Sequence, residues 1–332
     1  MSDPRLLSDR THRRLVACTA VLAVGVASLA LVGSAWDAGP SLLRVGAQVP
    51  AAARKSARPL ILTLGGPVYC GQVAALARYL HASLLCPDYG RNGERSGASR
   101  GKRVEDWGDP RYLAAVAHLP GRLRREGVRI SELVLVGASY AGYAAAELAA
   151  THPELHPRVL IIVDSFLDLP ERFRDLRPGE PTRAEMIRVL GGTLTQRPRA
   201  YSARSPSMHL EGLAGAIRRG MRFVDVWSVA PSEAREFNGA MCSIRSNAFW
   251  LRRLAQILHR PVAGYVTGLR HAFALWDWWR QLLALAGLAP AAGSLPAKDV
   301  LFHGGWRIPS ASYCRPRSNR LAAFVEQGLP LR

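Results

Sequence analysis

Short, unbroken apolar runs alternate with longer amphipathic stretches along most of this chain. Pro59–Leu64, Ser83–Cys86, Leu133–Val136, Val159–Val163, Phe223–Ser228 and Pro261–Val266 are runs of four to six residues that read as strands. Between them, helical spacing is expected over Gln72–His81, Pro110–Glu126, the Ala-rich stretch to about Ala150, Asn247–Leu258 and Trp276–Leu285. Leu113, Val116, Leu119 and Leu123 share one side of the second helix. Asp109 followed by Pro110 is a start signal for it, and Pro120-Gly121 predicts a kink or a split. Strands that are apolar throughout, alternating with helices, predict an α/β fold: a mostly parallel sheet flanked by helices on both faces. Residues at about 165–220 break the alternation with helical patterns such as Arg183–Leu190 and His209–Arg219, and predict a helical cap inserted between strands. A small strand is expected at Val300–His303.

Both ends of the chain read differently. Arg5, Arg10, Arg13 and Arg14 precede an uncharged apolar run from Leu15 to Val32, and Gly33-Ser34-Ala35 follows. Residues 1–35 therefore read as a signal peptide or an N-terminal membrane anchor, with the positive flank cytoplasmic and the remainder exported. The expected localisation is membrane-anchored, or secreted after cleavage. Residues 36–57 read as a linker, 58–287 as the α/β domain, and the Pro/Ala/Gly-rich 288–332 as a C-terminal extension.

The formal net charge is +19 over 332 residues, and the only lysines are Lys55, Lys102 and Lys298. The arginines are scattered and do not interleave with aromatics, so no nucleic-acid partner is expected; composition bias of the source genome is the first reading of the charge, and attraction to an anionic membrane surface the second. Of the five cysteines, Cys18 lies in the apolar N-terminal run. Cys70, Cys86, Cys242 and Cys314 are available for disulfides in an exported domain, and no pair has metal-ligand spacing.

The chemistry concentrates where a strand meets a helix. Gly137-Ala138-Ser139-Tyr140-Ala141-Gly142 directly follows the run Leu133–Val136. Small residues flanking a serine at a strand-to-helix turn allow a turn sharp enough to present the hydroxyl as a nucleophile. A serine hydroxyl needs a base, and the base needs an orienting acid. His271, between the last strand and the last helix, is the preferred base, with His303 as its rival. Asp164, which closes the strand Val159–Val163, is the preferred acid. Asp168, Glu233 and Glu236 remain open. The oxyanion needs two backbone donors. Tyr140 N–H is one; Pro67 has no N–H, which leaves Gly66 or Val68 for the other, and Gly66 is preferred because a glycine lets the backbone approach closely. Trp276, Trp278 and Trp279 are candidates for the mouth of an acyl pocket. No metal or organic cofactor is implied.

At these residues the chain resembles the α/β-hydrolase superfamily, over about Pro59–Gly287. Leu64-Gly65-Gly66-Pro67 is similar to its oxyanion loop, Gly137–Gly142 to its nucleophile elbow, and Gly268-Leu269-Arg270-His271 to its histidine loop. Val163-Asp164-Ser165 followed by a helical insertion resembles thioesterase domains that release products from acyl carriers. The resemblance implies a serine esterase, thioesterase or lipase-like enzyme. Its partner would be a small-molecule acyl ester or thioester, cleaved or transferred by a Ser-His-acid triad. The alternative is a catalytically inactive member of the fold that binds ligands while tethered to the membrane.

Overall fold

The computed structural model describes residues 42–43, 56–65, 67–87, 106–228, 240–267, 275, 279–290 and 300–301. The chain separates into two units, Met1–Pro40 and Ser41–Arg332, and every described residue falls in the second. The expected signal or anchor at residues 1–35 lies outside the described residues, as does most of 288–332. Among the described residues, no helix is long and apolar enough to cross a membrane.

The elements run, in chain order, as strands and helices in turn. They are β1 (Leu42–Leu43), β2 (Arg58–Leu62), α1 (Pro67–Tyr79), β3 (Ser83–Leu85), α2 (Pro110–Ala117), α3 (Leu119–Arg125) and β4 (Ile130–Ala138). Then come α4 (Tyr140–Thr151), β5 (Val159–Val163), α5 (Leu169–Asp175), α6 (Pro181–Leu190), α7 (Pro198–Ser202) and α8 (Leu210–Arg218). The chain closes with β6 (Arg222–Ser228), α9 (Ala240–Leu258), β7 (Gly264–Thr267), α10 (Trp279–Leu285) and β8 (Val300–Leu301).

The strands form one sheet in the order β1-β3-β2-β4-β5-β6-β7-β8, parallel except for β8 on its edge. From β2 the chain steps outward to β3, crosses back to lay β4 on the other side of β2, and then adds strands in sequence order. The order therefore reverses between β2 and β4, and crevices at such a point are where open α/β sheets place ligands. Leu60, Ile61 and Leu62 of β2 and all of β5 are fully or almost fully buried, as parallel strands covered on both faces must be.

Several departures from the sequence reading have physical causes. The helix expected over Pro110–Glu126 splits at His118, ahead of Pro120 rather than at it. Proline at 120 has no N–H for the carbonyl four residues back, so the break falls N-terminal to it. Asp109 caps α2 as expected, its carboxylate accepting from Arg111 N–H at 2.9 Å. Leu42–Leu43, inside the stretch read as a linker, pairs with Leu84–Leu85 as an edge strand. Between β5 and β6, α8 packs against α4 and α9, while α5, α6 and α7 form the irregular part of the insertion. Cys70 and Cys86 form a disulfide that ties α1 to the end of β3. A single sequence cannot predict that pairing.

Candidate active site

β4 ends at Ala138 and α4 begins at Tyr140, which leaves Ser139 alone to turn the chain. It does so at φ 51°, ψ −123°, in the left-handed half of backbone space that L-residues avoid. Such a conformation costs on the order of 1–3 kcal/mol and persists only where its surroundings enforce it. The enforcement is visible. Ser139 N–H donates to the Val163 carbonyl at 2.9 Å, and the Ser139 carbonyl accepts from Tyr143 N–H at 3.1 Å. A Cβ at Gly137 would lie 2.4 Å from the Ala141 carbonyl carbon, and one at Gly142 would lie 1.9 Å from Ser165 Oγ. No side chain fits at either position, so the turn requires both glycines. The hydroxyl of Ser139 makes no capping bond to α4 and the residue is half-buried. It is therefore presented at the carboxyl edge of the sheet rather than consumed by the helix.

Asp164 follows β5 at the same edge. In the register Ala138 lies beside Val163, so Ser139 and Asp164 stand at the ends of neighbouring strands. Asp164 is 1% exposed, has φ 49°, and donates its N–H to the Val226 carbonyl at 2.8 Å. Asp168 is committed elsewhere. It caps α5 by accepting from Glu171 N–H at 2.8 Å and accepts from Ser207 Oγ at 2.9 Å. Both of its carboxylate oxygens are thereby engaged in bracing the insertion.

These features settle the architecture. A parallel sheet whose order reverses beside its central strand carries, on the next loop, a serine in a left-handed strand-to-helix turn. The chain has the α/β-hydrolase fold. No family model and no curated protein matches it. Among solved structures, it is similar to Mycobacterium tuberculosis MPT51 at 17% identity and TM-score 0.43, over 73% of this chain and 95% of that one. It is also similar to an S-formylglutathione hydrolase from Agrobacterium tumefaciens, at 14% identity and TM-score 0.48, over 72% of this chain and 87% of that one. Esterase B from Lactobacillus rhamnosis matches at 13% identity and TM-score 0.44, over 82% of this chain and 96% of that one.

Within this hydrolase fold, the expected site residues divide into two groups. Ser139, Tyr140 and Asp164 share one edge of the sheet. Gly66, His271, His303, Glu233, Glu236, Trp276 and Trp278 lie outside the described residues. Gly65, which precedes Gly66, has φ 90° and borders the ring of Tyr140. Trp279 packs on Tyr79 at 5.0 Å between ring centroids, in a contact between α10 and α1. Among the described residues, no group of His, Cys, Asp or Glu side chains is placed to hold a metal ion.

Sequence reasoning missed a set of buried polar residues around the elbow. Asp106 is 1% exposed and bonds the phenol of Tyr140. Burial pushes its carboxyl up to about 6 from the ordinary 3.8, against the lowering effect of that bond and of two backbone donors. Asp225, fully buried in the middle of β6, accepts from Asn247 Nδ2 at 3.1 Å. Asn247 also donates to the Ser165 carbonyl at 2.9 Å and accepts from Leu167 N–H at 3.0 Å. This amide thus ties α9 and β6 to the loop that carries Asp164. Desolvation, reinforced by the charge of Asp164, holds the Asp225 carboxyl well above the ordinary range. A signal for it existed: Asp225 is the one charge inside Phe223-Val224-Asp225-Val226-Trp227.

Proposed function

We propose that this protein is a serine hydrolase that cleaves, or transfers, an acyl group from an ester or thioester. Ser139 Oγ attacks the carbonyl carbon while His271 takes its proton and Asp164 orients the imidazole. The N–H groups of Tyr140 and Gly66 hold the developing oxyanion; Tyr140 stands at the helix N-terminus, the end that favours negative charge. His271 then returns the proton to the departing alcohol or thiol. Water, deprotonated by the same histidine, releases the acyl group from Ser139.

One observation carries this reading. Ser139 adopts a costly backbone conformation in a turn that requires two glycines, and its hydroxyl serves no capping role there. A serine that only linked a strand to a helix would have no need of either. The position of Asp164 at the end of the neighbouring strand supports its role as acid. The Cys70–Cys86 disulfide supports an exported domain, because such bonds persist in oxidising compartments. The net charge of +19 fits work beside an anionic membrane surface.

The test is to treat the full-length chain with a fluorophosphonate and map the adduct by mass spectrometry, with Ser139→Ala and His271→Ala alongside. Labelling at Ser139 that needs His271 is the expected result, and a panel of esters and thioesters then assigns the leaving group. A folded protein that takes no label would refute the nucleophile and favour a binding role for the fold.

A further inference from the structure

Tyr140 does more than start α4. Its phenol donates to Asp106 Oδ2 and accepts from the Asp106 backbone N–H at 3.2 Å. The other carboxylate oxygen, Oδ1, accepts from Gly108 N–H at 2.7 Å and from Asp109 N–H at 3.3 Å. Every partner of this carboxylate is a donor, so the ionised form is the one the site satisfies. The segment that carries it is itself held. Trp107 adopts φ 50°, and its ring meets Tyr140 edge-on at 5.5 Å and stacks on Phe166 at 6.3 Å. Arg204 from the insertion donates Nη1 to the Asp106 carbonyl at 3.2 Å, and Tyr143 of α4 donates to the Arg204 carbonyl.

On its other side the Tyr140 ring borders the loop after β2. A Cβ at Gly65 would lie 3.4 Å from Tyr140 Cδ1 and 2.4 Å from Tyr69 Cδ2, and Gly65 has φ 90°. The ring thus stands between the Gly65 loop and the Asp106–Asp109 turn, while its own backbone forms the elbow. Without its bonds to Asp106 the ring would be free to turn, and the Gly65 loop would lose the surface that spaces it from the elbow. These are the two walls from which oxyanion donors are expected.

We propose that Asp106 is a positioning residue for the oxyanion hole. It acts through the Tyr140 phenol, which fixes the spacing between the elbow and the Gly65 loop. The inference rests on Ser139 being the nucleophile. Oxyanion donors act only in the transition state, so the effect of losing this strut belongs in kcat and not in KM.

The experiment uses full-length Asp106→Asn, Tyr140→Phe and the double variant, with p-nitrophenyl butyrate as substrate. Active sites are counted by fluorophosphonate titration, and a trifluoromethyl ketone that forms a hemiketal with serine reports affinity for the tetrahedral state. Expected is a loss of about 10- to 100-fold in kcat per titrated site, the scale of an ångström-level misplacement, with KM moved less than about twofold. Affinity for the ketone should fall by the same factor as kcat. The double variant should be no worse than the poorer single one, since both cut the same strut. Tyr140→Phe keeps the ring and its packing, so it carries the test even where Asp106→Asn does not fold. A merely structural brace would lower the melting temperature and the titratable fraction but leave kcat per site and ketone affinity unchanged, and that result overturns the proposal. Wild-type protein that takes no label overturns it together with the nucleophile. Wild-type protein that labels normally beside unaffected variants overturns the strut alone.

Discussion

Asp106 also makes a thermodynamic prediction that does not depend on catalysis. Its carboxyl is buried, and burial raises its ionisation from the ordinary 3.8 to about 6. In the window between those values the unfolded chain releases the proton while the folded chain keeps it. Stability therefore falls as pH rises through the window and levels off above it. At about 1.4 kcal/mol per pH unit, moving the ionisation from 3.8 to about 6 amounts to about 3 kcal/mol in full. Roughly 2 kcal/mol of that falls between pH 4 and pH 7. Asp168, Asp225 and Glu147 are also buried acids held above their ordinary values, so the wild-type curve alone would mix their contributions. The difference between wild type and Asp106→Asn removes them, because they are common to both proteins. Urea unfolding of the pair at pH 4, 5, 6 and 7 should show the variant gaining on wild type by about 2 kcal/mol across the range. A difference that stays constant to within about 0.5 kcal/mol would refute the buried, ionisable placement of Asp106. The same charge that satisfies Tyr140, Gly108 and Asp109 thus costs stability at neutral pH, a usual cost of a prepared site.

Three further outcomes are expected. Gly142→Ala would press a Cβ to 1.9 Å from Ser165 Oγ and 2.7 Å from the Gly137 carbonyl oxygen, so urea titration should show a loss of about 1–3 kcal/mol, and undiminished stability would mean the elbow can open. Replacing Cys70 and Cys86 by alanine, which frees a bridge across a sequence separation of 16, should cost about 2–4 kcal/mol by the same assay. Glu147 on α4 pairs with His209 Nδ1 at 2.9 Å; the pair raises the histidine, and burial raises the acid. Both directions mean more protons bound when folded, so the melting temperature should fall as pH rises through the histidine range. His209→Gln should flatten that slope, and an unchanged slope would dismiss the pair as its cause.

The strands were legible because parallel strands buried on both faces must be apolar throughout, as Val159–Val163 and Leu133–Val136 are. The elbow was legible because its steric demand falls on backbone neighbours, which leaves small residues at fixed offsets from Ser139. The strut was not. Asp106 and Tyr140 are separated by 34 residues, and nothing local links a loop aspartate to a phenol across a crossover. Its nearer neighbour Asp109 was found because helix capping is a short-range rule. Asp225 was visible as a charge in an apolar strand, but its partner Asn247 lies 22 residues on, in the helix Ala240–Leu258, and no local rule pairs the two. The helix α8 was read with the cap because amphipathic spacing marks a buried face without saying what covers it. Here it is covered by α4 and α9.

The strained backbone positions separate into two kinds, and the separation bears on where function lies. The described non-glycine residues with left-handed φ are His81, Trp107, Ser139, His156, Asp164 and His259. His81, His156 and His259 are exposed; His259 directly follows α9, His156 directly follows a single helical turn at Pro153–Leu155, and His81 lies two residues past α1, places where a left-handed residue is an ordinary way to stop a helix. Trp107, Ser139 and Asp164 end no helix. One precedes α2, one divides β4 from α4, and one closes β5. Trp107 and Asp164 are also buried, beside carboxylates that burial makes costly to charge. Strain and buried charge both lower stability, and chance would scatter them. Asp168 and Glu147 are buried acids without backbone strain, but at Trp107 beside Asp106 and at Asp164 beside Asp225 the two costs coincide around the serine whose turn the sheet enforces, the pattern expected of a site kept for chemistry at the expense of stability.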